Sequence, residues 1–137
     1  MARLLPQRLA AGLIFASTAA VGACTGGAEV SQGPLNPSYL GIETVLLDGE
    51  MVKFRVAMTG ARNEADVERY GRCAAAQYAL IRGFGFARHV QTQVARTNET
   101  WRGDAVYLIS AALPRGRHTI DAEVTVMDCG ELGIPTV

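Results

Sequence analysis

An alternation with a period of two residues over positions 51–58 is the feature that most constrains the fold of this chain. One side of the alternation carries Val52, Phe54, Val56 and Met58, and the other side carries Lys53 and Arg55. A period of two residues is typical of a strand with one buried face and one solvated face. The pattern therefore predicts a largely antiparallel sheet that is covered on one side and open to water on the other.

The pair Asp48-Gly49 separates this strand from an earlier apolar segment, Tyr39 to Leu47. An Asp-Gly dipeptide between two apolar runs is a strong signal for a tight hairpin turn. Residues 39–58 are therefore predicted to form a β-hairpin.

A long amphipathic helix is predicted from Asn63 to Arg82. Asn63 is a favourable N-cap residue, and the acidic residues that follow it lie where the positive end of the helix dipole favours them. An apolar stripe recurs at helical spacing and comprises Val67, Tyr70, Ala74, Tyr78 and Ile81. Gly83, directly after Arg82, is the expected stop signal.

Three further strands are predicted after the helix: Phe86 to Arg96, Trp101 to Ser110, and Thr119 to Met127. In the first of them Val90 is expected on the core face, which makes His89 an exposed residue of the sheet. The last is expected to bury Ile120, Ala122, Val124 and Val126. The order ββαβββ predicts an α+β fold, a two-layer sandwich in which one long amphipathic helix covers a mostly antiparallel sheet of about five strands.

The segment 1–23 has the layout of a cleavable secretory signal peptide. Arg3 and Arg8 give a basic start, and the stretch from Leu9 to Ala23 is apolar or small. This apolar region of about 15 residues is shorter than the roughly 20 that a membrane-spanning helix needs. A cleaved signal is therefore favoured over an uncleaved anchor.

The end of this segment, Val21-Gly22-Ala23-Cys24, resembles the lipobox of bacterial lipoproteins. In that family the cysteine is lipidated and becomes the first residue of the mature protein, although Leu is more frequent at the first position and Ala or Ser at the second. The resemblance implies lipidation of Cys24. Because Thr25 stands where an aspartate would imply inner-membrane retention, it also implies the outer membrane, facing the periplasm of a Gram-negative bacterium. The alternative is ordinary signal cleavage, which gives a soluble periplasmic or secreted protein with a free thiol.

Residues 24–38 follow as a flexible tether, rich in Gly and Ser and interrupted by Pro34 and Pro37. A Gly-rich chain of this length spans roughly 20 Å on average. Residues 39–137 have the length of one small globular domain, which this tether would hold close to the membrane surface.

Cys73 and Cys129 remain as an even pair once Cys24 is assigned to the lipid. In an oxidising compartment such a pair predicts a disulfide, to which the chain-entropy treatment attributes about 4 kcal/mol. Two unpaired buried thiols are the alternative. No metal site is predicted, because two distant cysteines without a Cys-x-x-Cys motif or a nearby His do not make a ligand set.

The stretch from Phe54 to Val90, which reads FRVAMTG and then EADVERYGRCAAAQYALIRGFGFARHV, resembles small uncharacterised alphaproteobacterial envelope lipoproteins. The matching residues are mostly structural. That family brings no known catalytic residues, so the resemblance implies a fold and a location alone.

Charge and motif content disfavour several classes of function. The chain has 13 Lys and Arg against 13 Asp and Glu without a concentrated basic surface, which disfavours a nucleic-acid partner. His89 and His118 lack a neighbouring carboxylate–His or His-x3-His pattern, and Gly83-Phe84-Gly85 lacks the rest of a phosphate-binding loop. No catalytic residue, cofactor or metal is therefore predicted.

Trp101, the only tryptophan, follows a turn, and basic residues would neighbour it if the last two hairpins align. A candidate partner-binding patch would comprise Trp101, Arg102, Arg115, Arg117 and His118. The sequence favours the simpler interpretation, a tryptophan folded over the edge of the core with the turn arginines in solvent.

Two functions from different classes follow. The first is a non-enzymatic binding or structural role in the cell envelope, with an envelope protein, lipid head groups or a cell-wall polymer as partner. The second is an enzyme that acts on an envelope substrate through His118 and a carboxylate, with Asp104, Asp121 and Glu123 as candidates. The lack of a nucleophile–base or metal motif in the sequence favours the first and leaves the partner and the oligomeric state open.

Overall fold

A computed structural model describes residues 35–137 of the protein. The predicted signal peptide at 1–23, the predicted lipidation site Cys24 and the predicted tether up to residue 34 lie outside the described residues. Within the described part, the elements are β1 (Ser38–Leu46), β2 (Met51–Thr59), α1 (Glu64–Ile81), β3 (Phe86–Thr97), β4 (Thr100–Ser110), β5 (Thr119–Asp121) and α2 (Ala122–Glu131).

The strands of residues 35–137 form a five-stranded sheet in the order β1-β2-β4-β3-β5, and every neighbouring pair is antiparallel. α1 packs against β2, β3 and β4, and α2 packs against α1. The predicted α+β class with a five-stranded antiparallel sheet is therefore confirmed. The prediction that a single long helix covers the sheet is wrong, because a second helix follows β5 in the described part of the chain.

The predicted hairpin at residues 39–58 is present as β1 and β2. Gly49 takes the left-handed backbone that the turn requires, with φ of 66°, and the Leu47 N–H donates to the Met51 carbonyl at 2.9 Å. The alternation in β2 has the predicted orientation, with Phe54 fully buried and Arg55 exposed. The covered face of the sheet therefore carries the apolar side chains of the hairpin.

Signals in its own sequence begin and end α1. The Asn63 side chain accepts a hydrogen bond from the Asp66 backbone N–H at 3.3 Å, which is the predicted N-cap. Arg82 is the C-cap, and Gly83 follows with φ of 80°. The predicted helix boundaries are confirmed.

Small residues let α1 lie close to β4. The helix buries a run of alanines at Ala74, Ala75, Ala76 and Ala79. A Cβ atom added at Gly103 in β4 would lie 2.7 Å from Cγ1 of Val67, and one added at Gly71 would lie 2.7 Å from Cβ of Ala105. Glycine at these two positions therefore sets how closely the helix approaches the sheet.

The predicted last strand, Thr119 to Met127, is wrong beyond Asp121. The Asp121 carboxylate accepts the Val124 backbone N–H at 3.1 Å and so caps α2, which diverts the chain from the sheet. Val124, expected in the core, is 56% exposed, whereas Thr125 and Cys129 are buried at helical spacing. The apolar residues of this segment fit both periods, and the cap and the packing against α1 select the helix.

A disulfide joins Cys73 of α1 to Cys129 of α2, with a Cα–Cα distance of 6.0 Å. The pairing predicted from the cysteine count is confirmed, and both residues lie in the core. The bond closes a loop between residues 56 apart in sequence, and it holds the C-terminal helix on the helix that covers the sheet. Among residues 35–137, neither helix is long and apolar enough to cross a membrane.

Candidate ligand-binding cleft

A cleft of about 380 Å³ opens between α1, the adjoining ends of β3 and β4, and the segment that enters β5. Its volume is within the range of sites for small molecules. The lining residues are Ala65, Glu68, Arg69, Arg72, His89, Tyr107, His118, Thr119 and Ile120. Ionisable and hydrogen-bonding side chains thus dominate a cavity that the sequence did not predict.

The spacing of residues along α1 determines which of its side chains face the cleft. Glu68, Arg69 and Arg72 are exposed, while their neighbours Val67 and Tyr70 are buried against the sheet. Residues three and four apart lie on the same side of a helix, so Arg72 is a surface neighbour of both Glu68 and Arg69. One edge of the helix therefore carries two guanidinium groups and one carboxylate toward the cleft.

A β-bulge in β3 turns His89 toward the helix-covered side. The register against β4 shifts between His89 and Gln91, so Val90 has no partner in the ladder and is exposed. His89 pairs with Tyr107, whose side chain is buried under α1. The prediction that Val90 faces the core and His89 the solvated face is wrong, because the extra residue reverses the alternation.

The two histidines of the chain meet at the cleft. The His89 backbone N–H donates to the His118 carbonyl at 3.0 Å, and the two ring centroids are 6.2 Å apart. His89 Nε2 lies 2.7 Å from the Thr92 hydroxyl, which fixes the orientation of the imidazole. His118 has a left-handed backbone with φ of 64°, which is uncommon for a residue with a side chain.

Tyr107 provides a neutral phenol where β4 lines the cleft. Its side chain is almost fully buried, and this desolvation raises the pKa of the phenol above its usual value. The charges of Arg72 and Glu68 act on the phenol in opposite directions and are smaller effects than burial. Tyr107 is therefore protonated at neutral pH and can donate a hydrogen bond.

Asp66 lies next to the lining residue Ala65 in sequence, but its carboxylate is already hydrogen-bonded to Arg62. Its carboxylate, 4% exposed, accepts two side-chain hydrogen bonds from Arg62 at 3.0 Å and the Arg62 backbone N–H at 2.9 Å. These hydrogen bonds hold the pKa of Asp66 below its usual range. Arg69 lies further away, at 3.6 Å from the same carboxylate, so it is only loosely engaged.

The cleft has an excess of positive charge. Arg69 and Arg72 face a single lining carboxylate, that of Glu68. Within residues 35–137, Arg72 has no carboxylate within the 4.0 Å of an ion pair, and neither histidine has one. Among the described residues, the site therefore offers the unpaired guanidinium of Arg72, the loosely paired one of Arg69 and neutral donors, but no histidine–carboxylate pair of the kind that general acid–base catalysis uses.

The structure does not bring the predicted partner-binding residues together. Trp101 lies at the start of β4 with the Arg96 guanidinium 5.0 Å from its ring centroid, and Arg102 is exposed on the opposite face of the sheet. Arg115 and Arg117 are exposed in the loop between β4 and β5, which leaves β4 at the opposite end from Trp101. Of the predicted set, only His118 lines the cleft.

The carboxylates considered for an enzyme are not at the cleft. Asp104 lines a separate groove on the open face of the sheet, and Asp121 is the N-cap of α2. Glu123 lies in the first turn of that helix. No group of three His, Cys, Asp or Glu side chains in residues 35–137 is arranged to hold a metal ion.

Residues 39–133 match the family described as the YNQ4 C-terminal domain. This match extends over more than two thirds of the chain and includes nearly all of β1 and every later element. The chain belongs to this family. All residues that line the cleft lie within its YNQ4 C-terminal domain. No curated protein and no solved structure matches the chain.

Proposed function

We propose that the chain is a lipid-anchored protein of the bacterial cell envelope, with its YNQ4 C-terminal domain facing the periplasm from the outer membrane. The domain has a non-enzymatic binding or structural role. Without a lipid on Cys24, the same domain is a soluble periplasmic or secreted protein.

The observation that carries this proposal is the disulfide between Cys73 and Cys129. Disulfides of this kind persist in oxidising compartments outside the cytoplasm. The chain has three cysteines, so the bond leaves Cys24 as the remaining thiol, at the end of the lipobox-like segment. Each acyl chain adds about 0.8 kcal/mol per buried methylene, and several chains on Cys24 would hold the protein on the membrane stably.

The cleft supports a binding role. It is open to solvent, lined by donors, and positively charged by Arg69 and Arg72. An enzyme acting on an envelope substrate is the second candidate, and it is favoured only by the presence of Glu68 and His118 in the same cleft. Because these two groups are not in ion-pair contact, ligand binding accounts for the arrangement more simply.

Metabolic labelling with a palmitate analogue tests the anchor. The wild-type protein and a Thr25→Ser control are expected to take up label, and Cys24→Ser is expected to take up none. The control keeps the cysteine and changes its neighbour only slightly. Equal labelling of wild type and Cys24→Ser would refute lipidation at this position.

A further inference from the structure

We propose that the cleft between α1 and the segment entering β5 binds the phosphate group of a small ligand, held by Arg69, Arg72, Tyr107 and His118. The inference names the ligand chemistry of the binding role proposed above, on which it rests. It does not depend on the lipid at Cys24, so the two proposals fail in different experiments.

The arginines of α1 supply the attraction. Arg72 is exposed toward the cleft without a carboxylate partner in residues 35–137, and Arg69 shares Asp66 with the closer Arg62. A guanidinium group presents its donors in a planar fork that matches the oxygens of phosphate. Two such groups one helical turn apart can therefore engage one anion.

The number of donors favours phosphate over carboxylate. Donors reach the cleft from α1, from the Tyr107 phenol of β4, and from His118 before β5. A carboxylate has two oxygens, whereas the phosphate of a monoester has three free oxygens that accept strongly. The larger anion can satisfy donors from all three elements at once.

The backbone of His118 is a second, independent observation. Its left-handed conformation is unfavourable for a residue with a side chain, and the hydrogen bond that the His89 N–H donates to its carbonyl helps to maintain it. Residues kept in such conformations concentrate at functional sites. The conformation places the imidazole in the lining of the cleft beside the cationic edge of α1.

The phosphate has two sources: a soluble phosphate monoester, whose three free oxygens match the donor count best, or the phosphodiester of a lipid head group near the tethered domain, which has only two free oxygens. The probes are inorganic phosphate, glycerol 3-phosphate and the deacylated head group glycerophosphoglycerol. Each is titrated at millimolar concentrations into the ¹⁵N-labelled full-length protein in dodecyl maltoside, with acetate as the carboxylate control. Backbone amide shifts report both the affinity and the position of binding.

We expect saturable shifts at the amides of His89, Tyr107 and Thr119, and no comparable response to acetate. Arg72→Gln is expected to weaken binding at least about tenfold, because it removes a charge-assisted contact. Arg102→Gln makes the same charge change on the open face and should leave the affinity unchanged. His118→Asn keeps a residue that tolerates the left-handed backbone and should weaken binding severalfold.

The outcomes separate the sources and test the proposal. Binding of inorganic phosphate and glycerol 3-phosphate alone supports a soluble ligand, and binding of glycerophosphoglycerol supports a lipid head group. The proposal is overturned if no probe gives saturable shifts in the cleft, or if acetate gives the same shifts. Equal affinity of wild type, Arg72→Gln and His118→Asn would overturn it as well.

Discussion

Breaking the bond between Cys73 and Cys129 removes the only covalent constraint between α1 and α2 in the described part of the chain. The bond joins residues 56 apart, and the chain-entropy treatment gives about 4 kcal/mol for a loop of that length. For a domain of this size, each kcal/mol shifts the thermal midpoint by several degrees, so reduction should lower it by about 15–25 °C. Isolated helices of ten residues are marginal in water, so α2 should lose its order first.

The assay compares oxidised protein with protein that is reduced in guanidinium and then refolded in reductant, since both cysteines are buried. Thermal unfolding is followed by circular dichroism, and amide hydrogen exchange reports on α2. The Cys73→Ala/Cys129→Ala variant is the control, because reductant should not change its midpoint. A shift below about 5 °C on reduction of the wild type would refute the reasoning, since it would leave only about 1 kcal/mol for the constraint.

Three further features are tested by urea unfolding: the hydrogen bonds of Asp66, the helix–sheet packing at Gly103 and the cap of α2. Asp66→Asn should cost about 1–3 kcal/mol at neutral pH, because it removes charge-assisted hydrogen bonds. The pKa of Asp66 is lowered in the folded state, so its contribution to the free energy of unfolding is present above the unfolded pKa of about 4 and is lost as the pH falls through the folded pKa. The Asp66→Asn variant should lack this part of the acid dependence of stability. An acid dependence equal to that of the wild type would contradict the assignment. Gly103→Ala should cost about 1–3 kcal/mol because the added Cβ would meet Val67. Gly130→Ala is the control and should be neutral or slightly stabilising, because Gly130 lies in a helix with open space around it. Equal effects of the two substitutions would contradict the close approach of α1 to the sheet. Asp121→Ala should cost about 1 kcal/mol and Asp121→Asn little, and a loss that is the same for both would argue against the cap of α2.

The predictable parts of the fold depend on signals close together in sequence. The hairpin follows from Asp48-Gly49 and the alternation after it, and α1 follows from its Asn63 cap and the glycine after Arg82. Each signal acts within a few residues and needs no knowledge of the rest of the chain. The cysteine pairing was also predictable, because counting the residues left one pair.

The second helix was missed because its apolar residues fit two periods. Stop signals were present: Gly133 has φ of 68°, and the Ile134 N–H donates to the Cys129 carbonyl at 2.9 Å. The Asp121 cap is a further signal, but strand alternation would equally place this carboxylate on the solvated face of the sheet. The burial of Thr125 in the core favours the helical period over the strand period of two residues. This packing involves residues far away in sequence and cannot be inferred from the segment alone.

The cleft could not be predicted from spacing along the chain. Its donors come from segments far apart in sequence, and two backbone irregularities bring them together. The bulge after His89 reverses the side that this residue faces, and the left-handed backbone of His118 orients the chain at the entry to β5. Acidic and basic residues both occur along α1, which is typical of a solvent-exposed helix face. The sequence around Arg72 therefore does not indicate that this residue lines a binding cleft.

Mass spectrometry of the N-terminal tryptic peptide from the membrane fraction tests the central claim most directly. Lys53 is the first basic residue after position 24, so the mature peptide would run from Cys24 to Lys53. The account predicts this peptide with acyl groups on Cys24 and no peptide that continues upstream of it. An unmodified peptide beginning at Cys24 or at another residue, or one that continues from Leu9 to Lys53, would contradict the account.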